Sequence, residues 1–367
     1  MDNYKVQVFL MKGILTILMF FIFLAPSKVC FAKERKDIKL KSLNDFEGVL
    51  KIVPNKAQNV VIFSSRDYIT PILFSKKHKI DTVYWVLPVE NIKKEDVNVF
   101  VEHLNKYFKI KEMSLSAEGL SLKVENLEVY ILLKENIGTV DTEIDFVVVD
   151  VDYFFRSFKN EVKTPKMEMI VSLFQSFNDY DWDIKNIYLV KSLDINLPDW
   201  VQEFSYAFER IFKNWQRNIF PKEFLALDYV DQALLYFAQY DDAYNVLKLI
   251  EDKHKDNPYF YKRLFFASLK NYKDDDVFYA FNKAYELDSK MINLCLEGAQ
   301  YLVEKGEYYQ AYVMIMSGLE KEPWNIKLRD RLKEIINVAY EYYNSHEGND
   351  ELFQFFKKEK EQMDKKR

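Results

Sequence analysis

The sequence is poor in the residues that carry most recognisable enzyme chemistry. Its 367 residues include two cysteines and four histidines, and the histidines are scattered along the chain. It lacks a P-loop, a G-x-G-x-x-G after a strand, a G-x-S-x-G elbow and an H-E-x-x-H motif. These absences disfavour nucleotide-dependent, serine-hydrolase and zinc-peptidase chemistry. With only 8 glycines and 9 prolines, the composition is that of a folded protein rather than a linker or a fibre.

The chain also has no net positive charge. The formal net charge is −5 at pH 7, and no basic stripe marks a nucleic-acid footprint. Aromatic residues are abundant instead, with 30 phenylalanines and 25 tyrosines. Large rings bury much area each, so the chain has ample material for a core. The length predicts two domains.

The N-terminus has the pattern of a secretory signal peptide. Lys12 precedes the apolar run Gly13–Ala25, and a small residue, Ala32, follows at a suitable distance for cleavage. We therefore expect residues 1–32 to be removed and the protein to be exported, to the periplasm, the cell envelope or the medium. The alternative is a retained anchor, although the apolar run is shorter than the roughly 20 residues of a spanning helix. After cleavage we expect no stable membrane span. Cys295 would be the one remaining cysteine, so we expect no intramolecular disulfide.

Residues 58–215 alternate between strand and helix patterns, after a charged lead-in at 33–57. Strands mixed with helices in this way predict a three-layer α/β domain with a mainly parallel sheet. The segment Ser114–Leu122 alternates between apolar and polar residues and is expected to form an edge hairpin strand. The predicted strands are Val60–Phe63, Thr82–Leu87, Val129–Leu133, Phe146–Val149 and Ile187–Val190, and the predicted helices are Glu95–Phe108, Met167–Phe177 and Trp200–Trp215.

One pair of carboxylates stands out in this domain. The buried strand Phe146–Val149 runs directly into Asp150 and Asp152, and ligands of parallel sheets bind beyond the carboxyl ends of strands. Alternation points both side chains the same way, so the two carboxylates can converge on a divalent ion. The earlier strand Val60–Phe63 likewise ends in polar residues, from Ser64 to Asp67. The other interpretation is a strand-end cap that is hydrogen-bonded to a neighbouring loop. We expect no cofactor beyond such a metal.

The order of these segments resembles the arginase/deacetylase superfamily. The resemblance spans residues 58–212 and implies that Asp150 and Asp152 bind Mn or Zn for hydrolysis of a C–N bond. Ser64 and Arg66 stand where that superfamily has an acid and a histidine, so Asp67 is the one further ligand that the resemblance implies. The resemblance therefore supports the fold more than the chemistry, and we lean towards a protein that is not an enzyme.

The C-terminal half carries a 34-residue register. Ala243, Val277 and Ala311 occupy equivalent positions, and a bulky or small apolar residue follows one turn later in each unit. Small residues let paired helices approach closely, and such hairpins must stack to bury their apolar faces. The pattern resembles the tetratricopeptide (TPR) family and predicts helical hairpins over 222–345, followed by a charged tail at 346–367.

The TPR resemblance implies a groove that is lined by the first helix of each hairpin. Such a groove recognises a protein or peptide partner, so we expect an exported, non-enzymatic binding or assembly protein, with a metal-dependent hydrolase as the alternative. The alternative is that this face packs on the α/β domain. The implied groove residues are Gln232, Tyr236, Tyr259, Lys262, Phe266, Lys270, Leu296, Gln300 and Glu304.

Overall fold

The computed structural model describes most of the chain after residue 36. The described residues are 37–43, 48–49, 59–64, 72, 75–76, 79–88, 94–116, 118–140, 143–151, 153–154, 166–191, 199–346 and 350–365. The chain divides into two compact units, the first ending at Asp228 and the second beginning at Tyr229. A largely parallel sheet in the first and helices in the second confirm the predicted fold class. The predicted signal peptide lies outside the described residues.

The first unit is built on an eight-stranded sheet. Its order is β1-β8-β7-β2-β3-β6-β5-β4. The first six strands in this order, β1-β8-β7-β2-β3-β6, pair in parallel. The last two, β5 and β4, extend the sheet by antiparallel pairing. The strands are β1 (Lys39–Leu43), β2 (Asn59–Phe63), β3 (Thr82–Leu87), β4 (Ile110–Leu115), β5 (Gly119–Val124), β6 (Leu127–Leu133), β7 (Glu143–Asp150) and β8 (Asp183–Val190).

The centre of the sheet is apolar on both faces. Val60 to Phe63 in β2 and Phe146 to Val149 in β7 are completely buried. These two strands pair directly, with Phe63 opposite Val149. Strands that are covered on both faces give continuous apolar runs rather than alternating ones, which is why the sequence pattern located them.

The first unit contains the helices α1 (Lys94–Asn105), α2 (Lys166–Asp179) and α3 (Asp199–Gln216). An aromatic core joins α2 to α3, because the Phe174 ring lies 5.0 Å from Phe208 and 5.1 Å from Trp215. The start of α2 is capped by Asp228, whose carboxylate accepts hydrogen bonds from the main-chain N–H groups of Met167 at 3.1 Å and Glu168 at 2.9 Å. This cap satisfies donors that a helix N-terminus otherwise leaves open.

The second unit consists of helical hairpins. Helix α4 crosses the boundary between the units, and its second half begins the array. The helices are α4 (Lys222–Leu235), α5 (Tyr240–Ile250), α6 (Pro258–Lys270), α7 (Asp274–Leu287), α8 (Leu294–Glu304), α9 (Tyr308–Lys321), α10 (Ile326–Ser345) and α11 (Asp350–Lys365).

The 34-residue register is present in the packing. Ala243, Val277 and Ala311 lie in α5, α7 and α9 and are 0%, 2% and 0% exposed. These three helices are the second helices of their hairpins. All three residues are buried, as the spacing predicts. These residues are therefore structural, because a buried side chain is not available to a partner.

The turns inside the hairpins repeat with the same period. Ala238, Tyr272 and Gly306 are spaced by 34 residues, and all three have positive φ, at 50°, 53° and 79°. Each lies between the first and second helix of its hairpin. A left-handed residue ends the first helix and turns the chain back, and glycine is the residue that adopts it at least cost. The repeat is therefore a feature of the backbone as well as of the side chains.

Three segments differ from the sequence-based expectation. Ser114–Leu122, predicted as one strand, covers the end of β4 and the start of β5, because the chain reverses there and Ser116 pairs with Gly119. Lys39–Leu43, within the expected charged lead-in, forms the edge strand β1 beside β8, because its main chain completes the parallel ladder while its lysines stay exposed. Within the expected charged tail, Asp350–Lys365 forms helix α11. Its Phe356 is completely buried, and the Phe355 ring lies 5.1 Å from the Tyr312 ring. One apolar stripe is enough to dock a helix whose other side is charged.

Candidate functional site

A topological switch point of the sheet lies between β2 and β7. The chain moves from β2 to β3 on one side of this point and from β7 to β8 on the other. The two connections leave in opposite directions. Open α/β sheets bind their ligands beyond the carboxyl ends of the strands at such a point. Ser64, directly after β2, and Asp150, the last residue of β7, lie at this edge.

Asp150 is held in a buried hydrogen-bonded network. Its side chain is 0% exposed, and its Oδ2 accepts a hydrogen bond from Ser64 Oγ at 3.2 Å. The main-chain oxygen of Ser64 in turn accepts from Trp85 Nε1 at 2.9 Å. Three neighbouring strands are thereby tied together at their carboxyl ends. The arrangement fixes the direction of the carboxylate, which is useful both for a strand-end cap and for a ligand site.

Phe63, the residue before Ser64, forms an aromatic pair with Tyr153. The Tyr153 ring packs edge-on against Phe63 with centroids 5.4 Å apart, and it is 3% exposed. Burial, with a smaller contribution from the charge of Glu135, raises the pKa of Tyr153 far above its ordinary value. Its hydroxyl is therefore neutral at physiological pH and does not supply an anionic ligand.

The predicted metal site is only partly placed. Asp150 is where the sequence predicted it, at the end of a buried strand, whereas Asp67 and Asp152 lie outside the described residues. Within the described ranges no group of three or more histidine, cysteine, aspartate or glutamate side chains is positioned to hold a metal ion. Asp150 and its Ser64 partner are thus the described part of this candidate.

The second candidate is the face formed by the first helices α6, α8 and α10. Lys262 on α6 lies 3.5 Å from Glu297 on α8, and Arg331 on α10 donates a hydrogen bond to Gln300 on α8. Gln300 also donates to Glu304 at 2.6 Å. Polar side chains therefore connect three successive first helices. We call this surface, Lys262 to Arg331 across α6, α8 and α10, the first-helix face.

A cation–π cluster lies at the end of the same helices. The Lys270 ammonium is 4.6 Å from the centre of the Tyr240 ring and 5.9 Å from that of Tyr301. Lys305 also lies over Tyr301, at 5.7 Å. A lysine between two rings is held in place more firmly than a freely rotating surface lysine. The positive charge at Lys270 therefore has a defined position.

Most of the predicted groove residues are accessible, with one exception. Tyr259 is 6% exposed, so it supports the fold and does not line a groove, contrary to the expectation. It is the second residue of α6, two positions after the capping Asn257, and its neighbours Pro258 and Phe260 are buried as well. The accessible members, each half-buried or exposed, are Gln232, Tyr236, Lys262, Phe266, Lys270, Leu296, Gln300 and Glu304.

Sequence reasoning missed Arg331. Arg263, Glu297 and Arg331 are spaced by 34 residues, and each reaches back to the preceding first helix. Arg263 makes the strongest contact, a bidentate pair with Asp231 at 2.7 and 2.6 Å. The signal was available, because extending the register by one further unit into α10 would have identified Arg331.

No model of a known protein family matches this chain, and no curated protein matches it significantly in sequence. In the part of the chain that the structure describes, no helix combines the length and apolarity that crossing a membrane requires.

Proposed function

We propose that this chain is an exported, non-enzymatic binding or assembly protein that holds a protein or peptide along TPR-like hairpins. The observation that carries the proposal is the continuity of the first-helix face. Lys262–Glu297 and Gln300–Arg331 bridge neighbouring first helices, so their exposed side chains form one surface rather than three separate ones. The α/β unit, in this proposal, is a relative of the arginase/deacetylase fold that has lost its chemistry.

The composition of the face suits an extended peptide. Half-buried Phe266 and Leu296 offer apolar contact, while the exposed Gln300 and Glu304 offer a hydrogen-bond donor and acceptors. The Lys262–Glu297 pair is long and partly exposed, and such pairs contribute little to stability. A charged group of a partner can therefore replace either member of this ion pair with little loss of free energy. The main-chain amides and carbonyls of a bound peptide would form hydrogen bonds with these polar side chains.

Site-specific photocrosslinking tests the proposal. A photoreactive side chain at Leu296 or Glu304, in the full chain within its native envelope, should give one discrete adduct that is common to both positions. The matched control is Leu249, which is 70% exposed on the second helix α5. The same adduct should be absent there, and Phe266→Ala should weaken it at Leu296. An equal yield at Leu249, or no adduct at any position, would refute recognition by this face.

The expected export is tested separately. The mature protein should begin just after Ala32, and N-terminal sequencing of the protein from the cell envelope or medium checks this. A chain that keeps residues 1–32 in the membrane fraction would contradict cleavage. Binding by the first-helix face would still be testable in that case, because it depends on the second unit alone.

The alternative function is a metal-dependent hydrolase of C–N bonds. The observation that favours it is the position of Asp150, which is buried at the switch point of the sheet. Metal analysis of the purified mature protein distinguishes the two functions. Stoichiometric Mn or Zn that is lost in Asp150→Ala, but kept in Asp145→Ala near the amino end of the same strand, would favour the hydrolase. A protein that is metal-free and indifferent to chelators supports the binding function.

A further inference from the structure

The two edges of the sheet are treated differently by the rest of the fold. At the β1 edge, side chains of α3 contact the strand: Gln216 Nε2 donates to the main-chain oxygen of Ile38 at 2.6 Å, and Ser42 donates to Glu209. At the β4 edge, every hydrogen bond described for Ile110–Leu115 is made within its hairpin with β5. In the described structure, therefore, β4 is an open edge, and open edges are templates for strand addition.

The apolar face of the sheet continues onto this edge without being covered there. Met113 is 50% exposed and Leu115 is 41% exposed, although their neighbours in the same rows are buried. Each row crosses four strands in register and loses its cover only at the last. The first row is Val83, Val129, Leu122 and Met113, with exposures of 0%, 0%, 3% and 50%, and the second is Trp85, Ile131, Leu120 and Leu115, with 0%, 3%, 2% and 41%.

The phase of the hairpin ladder decides which main-chain groups point outwards. Ser116 N donates to Gly119 O at 2.9 Å, so this pair is a hydrogen-bonded one. Hydrogen-bonded and non-hydrogen-bonded pairs alternate along an antiparallel ladder. Ser114, opposite Ser121, therefore directs its main chain towards β5, whereas Met113 and Leu115 direct theirs away from the sheet.

We propose that β4 pairs antiparallel with β4 of a second copy of this chain, about a two-fold axis at Ser114. Met113 then lies opposite Leu115 of the other copy, and both residues have outward-pointing main-chain groups, so these two pairs exchange four hydrogen bonds. The axis is perpendicular to the sheet, which keeps the apolar faces on one side. Each uncovered row of one copy is thereby continued by an apolar residue of the other.

Ladder phase and charge disfavour the registers that shift the axis towards Lys111. An axis between two residues would pair an inward main chain with an outward one, which antiparallel pairing does not allow. An axis at Met113 would place the Lys111 ammonium opposite Leu115. With the axis at Ser114, Glu112 lies opposite Ser116 of the other copy. No like charges then face each other within the paired segment 112–116.

The same edge also limits how strong the contact is. The ladder with β5 is irregular between Ile110 and Glu112, so Lys111 lies in a bulge and only Glu112–Leu115 continue regularly. Bulges and lysines restrain edge pairing. Stable interfaces bury about 1,200 Å² or more, and a four-residue strand contact alone falls short of this. The dimer is therefore weak and concentration-dependent.

Cysteine crosslinking tests the register directly. Residues at the two-fold axis form a non-hydrogen-bonded pair with Cα atoms about 4.5 Å apart, within the range of a disulfide. Ser114→Cys should therefore give a covalent dimer on mild oxidation of the mature chain. Glu112→Cys is the matched control on the same strand and face, because its two copies would lie more than about 13 Å apart. Cys295 is buried and does not compete.

A second variant separates pairing from folding. Leu115→Pro removes an outward N–H and no bond of the β4–β5 ladder, so it should abolish the Ser114→Cys crosslink while the circular dichroism stays unchanged. If it disturbs folding, Met113→Lys serves the same purpose by placing a charge in the apolar row. Sedimentation of the unmodified mature chain should show mass rising with concentration. A monomer at all concentrations, or equal crosslinking of Glu112→Cys, would overturn the proposal.

Discussion

Replacing Gly306 with alanine should destabilise the helical unit, whereas Ala238→Gly should stabilise it. The two residues occupy equivalent turns two repeats apart, and both have positive φ, at 79° and 50°. A Cβ atom added at Gly306 would meet nothing within 4 Å, so packing does not contribute to the effect. The pair therefore isolates the cost of the left-handed backbone.

The magnitude follows from two opposing terms. A non-glycine residue in the left-handed region costs about 1–2 kcal/mol. Alanine also has less freedom than glycine in the unfolded chain, which returns about 0.4–1 kcal/mol. Gly306→Ala should therefore lower the free energy of unfolding by about 1 kcal/mol, and Ala238→Gly should raise it by up to about the same amount. The sites are far apart in sequence and share no contact, so the double variant should lie close to the original protein.

Urea unfolding followed by helical circular dichroism measures both changes. Asn245, exposed within helix α5, provides the control, because there alanine should be more stable than glycine by about 0.8–1 kcal/mol. The sign of the alanine–glycine difference should thus invert between a turn and a helix position. If Gly306→Ala is neutral, or if Ala238→Gly destabilises as Asn245→Gly does, the turns are not left-handed and the backbone repeat is wrong.

Three further changes test contacts within the two units. Asp228→Ala should cost about 1–2 kcal/mol in urea unfolding, because it removes the cap of α2, and Asp228→Asn should recover part of this loss. A double-mutant cycle on Arg263 and Asp231 should give a coupling of about 1–3 kcal/mol, and additive single effects would show that the bidentate pair is not formed. Burial, then the charge of Glu359, raises the pKa of Tyr312 to about 12 from 10.0. The folded state therefore favours the protonated Tyr312, and this contribution to the free energy of unfolding is full below pH 10 and is lost as the pH rises through 12. Tyr312→Phe should make the free energy of unfolding fall less steeply over this range. Spectrophotometric titration of the variant should show one fewer late-titrating tyrosine.

The strands of the sheet were predictable where burial is strong. Phe146–Val149 and Val60–Phe63 are apolar on both faces, and only a covered strand tolerates such a run. Thr82–Leu87 was located from its β-branched and aromatic content, and its bounds agree with the structure. The edge strand Lys39–Leu43 was missed, because an edge needs little apolar surface and its pairing with β8 is a property of the main chain.

The candidate site was predictable only in its local parts. Asp150 follows a buried strand, so its place at the sheet edge could be derived from the sequence. Its contact with Ser64 depends on β7 returning to lie beside β2, across a separation of 86 residues. Strand order of this kind is not encoded in periodicity. Tyr259 was wrongly placed in the groove for a related reason: a repeat position gives the face of a helix, whereas burial depends on what packs against it.

The departures from the 34-residue pattern are compensated by contacts that periodicity alone does not show. Asp231 and Phe265 stand where Ala299 stands in the third unit, although a small residue is expected there.

Each substitution is accommodated by a different neighbour. The carboxylate of Asp231 receives both ends of the Arg263 guanidinium. The Phe265 ring occupies the space at Gly298, where an added Cβ would lie 2.7 Å from its Cζ atom. The fold therefore requires glycine at position 298, since an alanine there would force the buried Phe265 ring to move. This requirement takes the place of the small residue that the repeat expects at position 265. A degenerate repeat keeps its helix spacing through such pairs, and a search for identical residues at one position finds it only weakly.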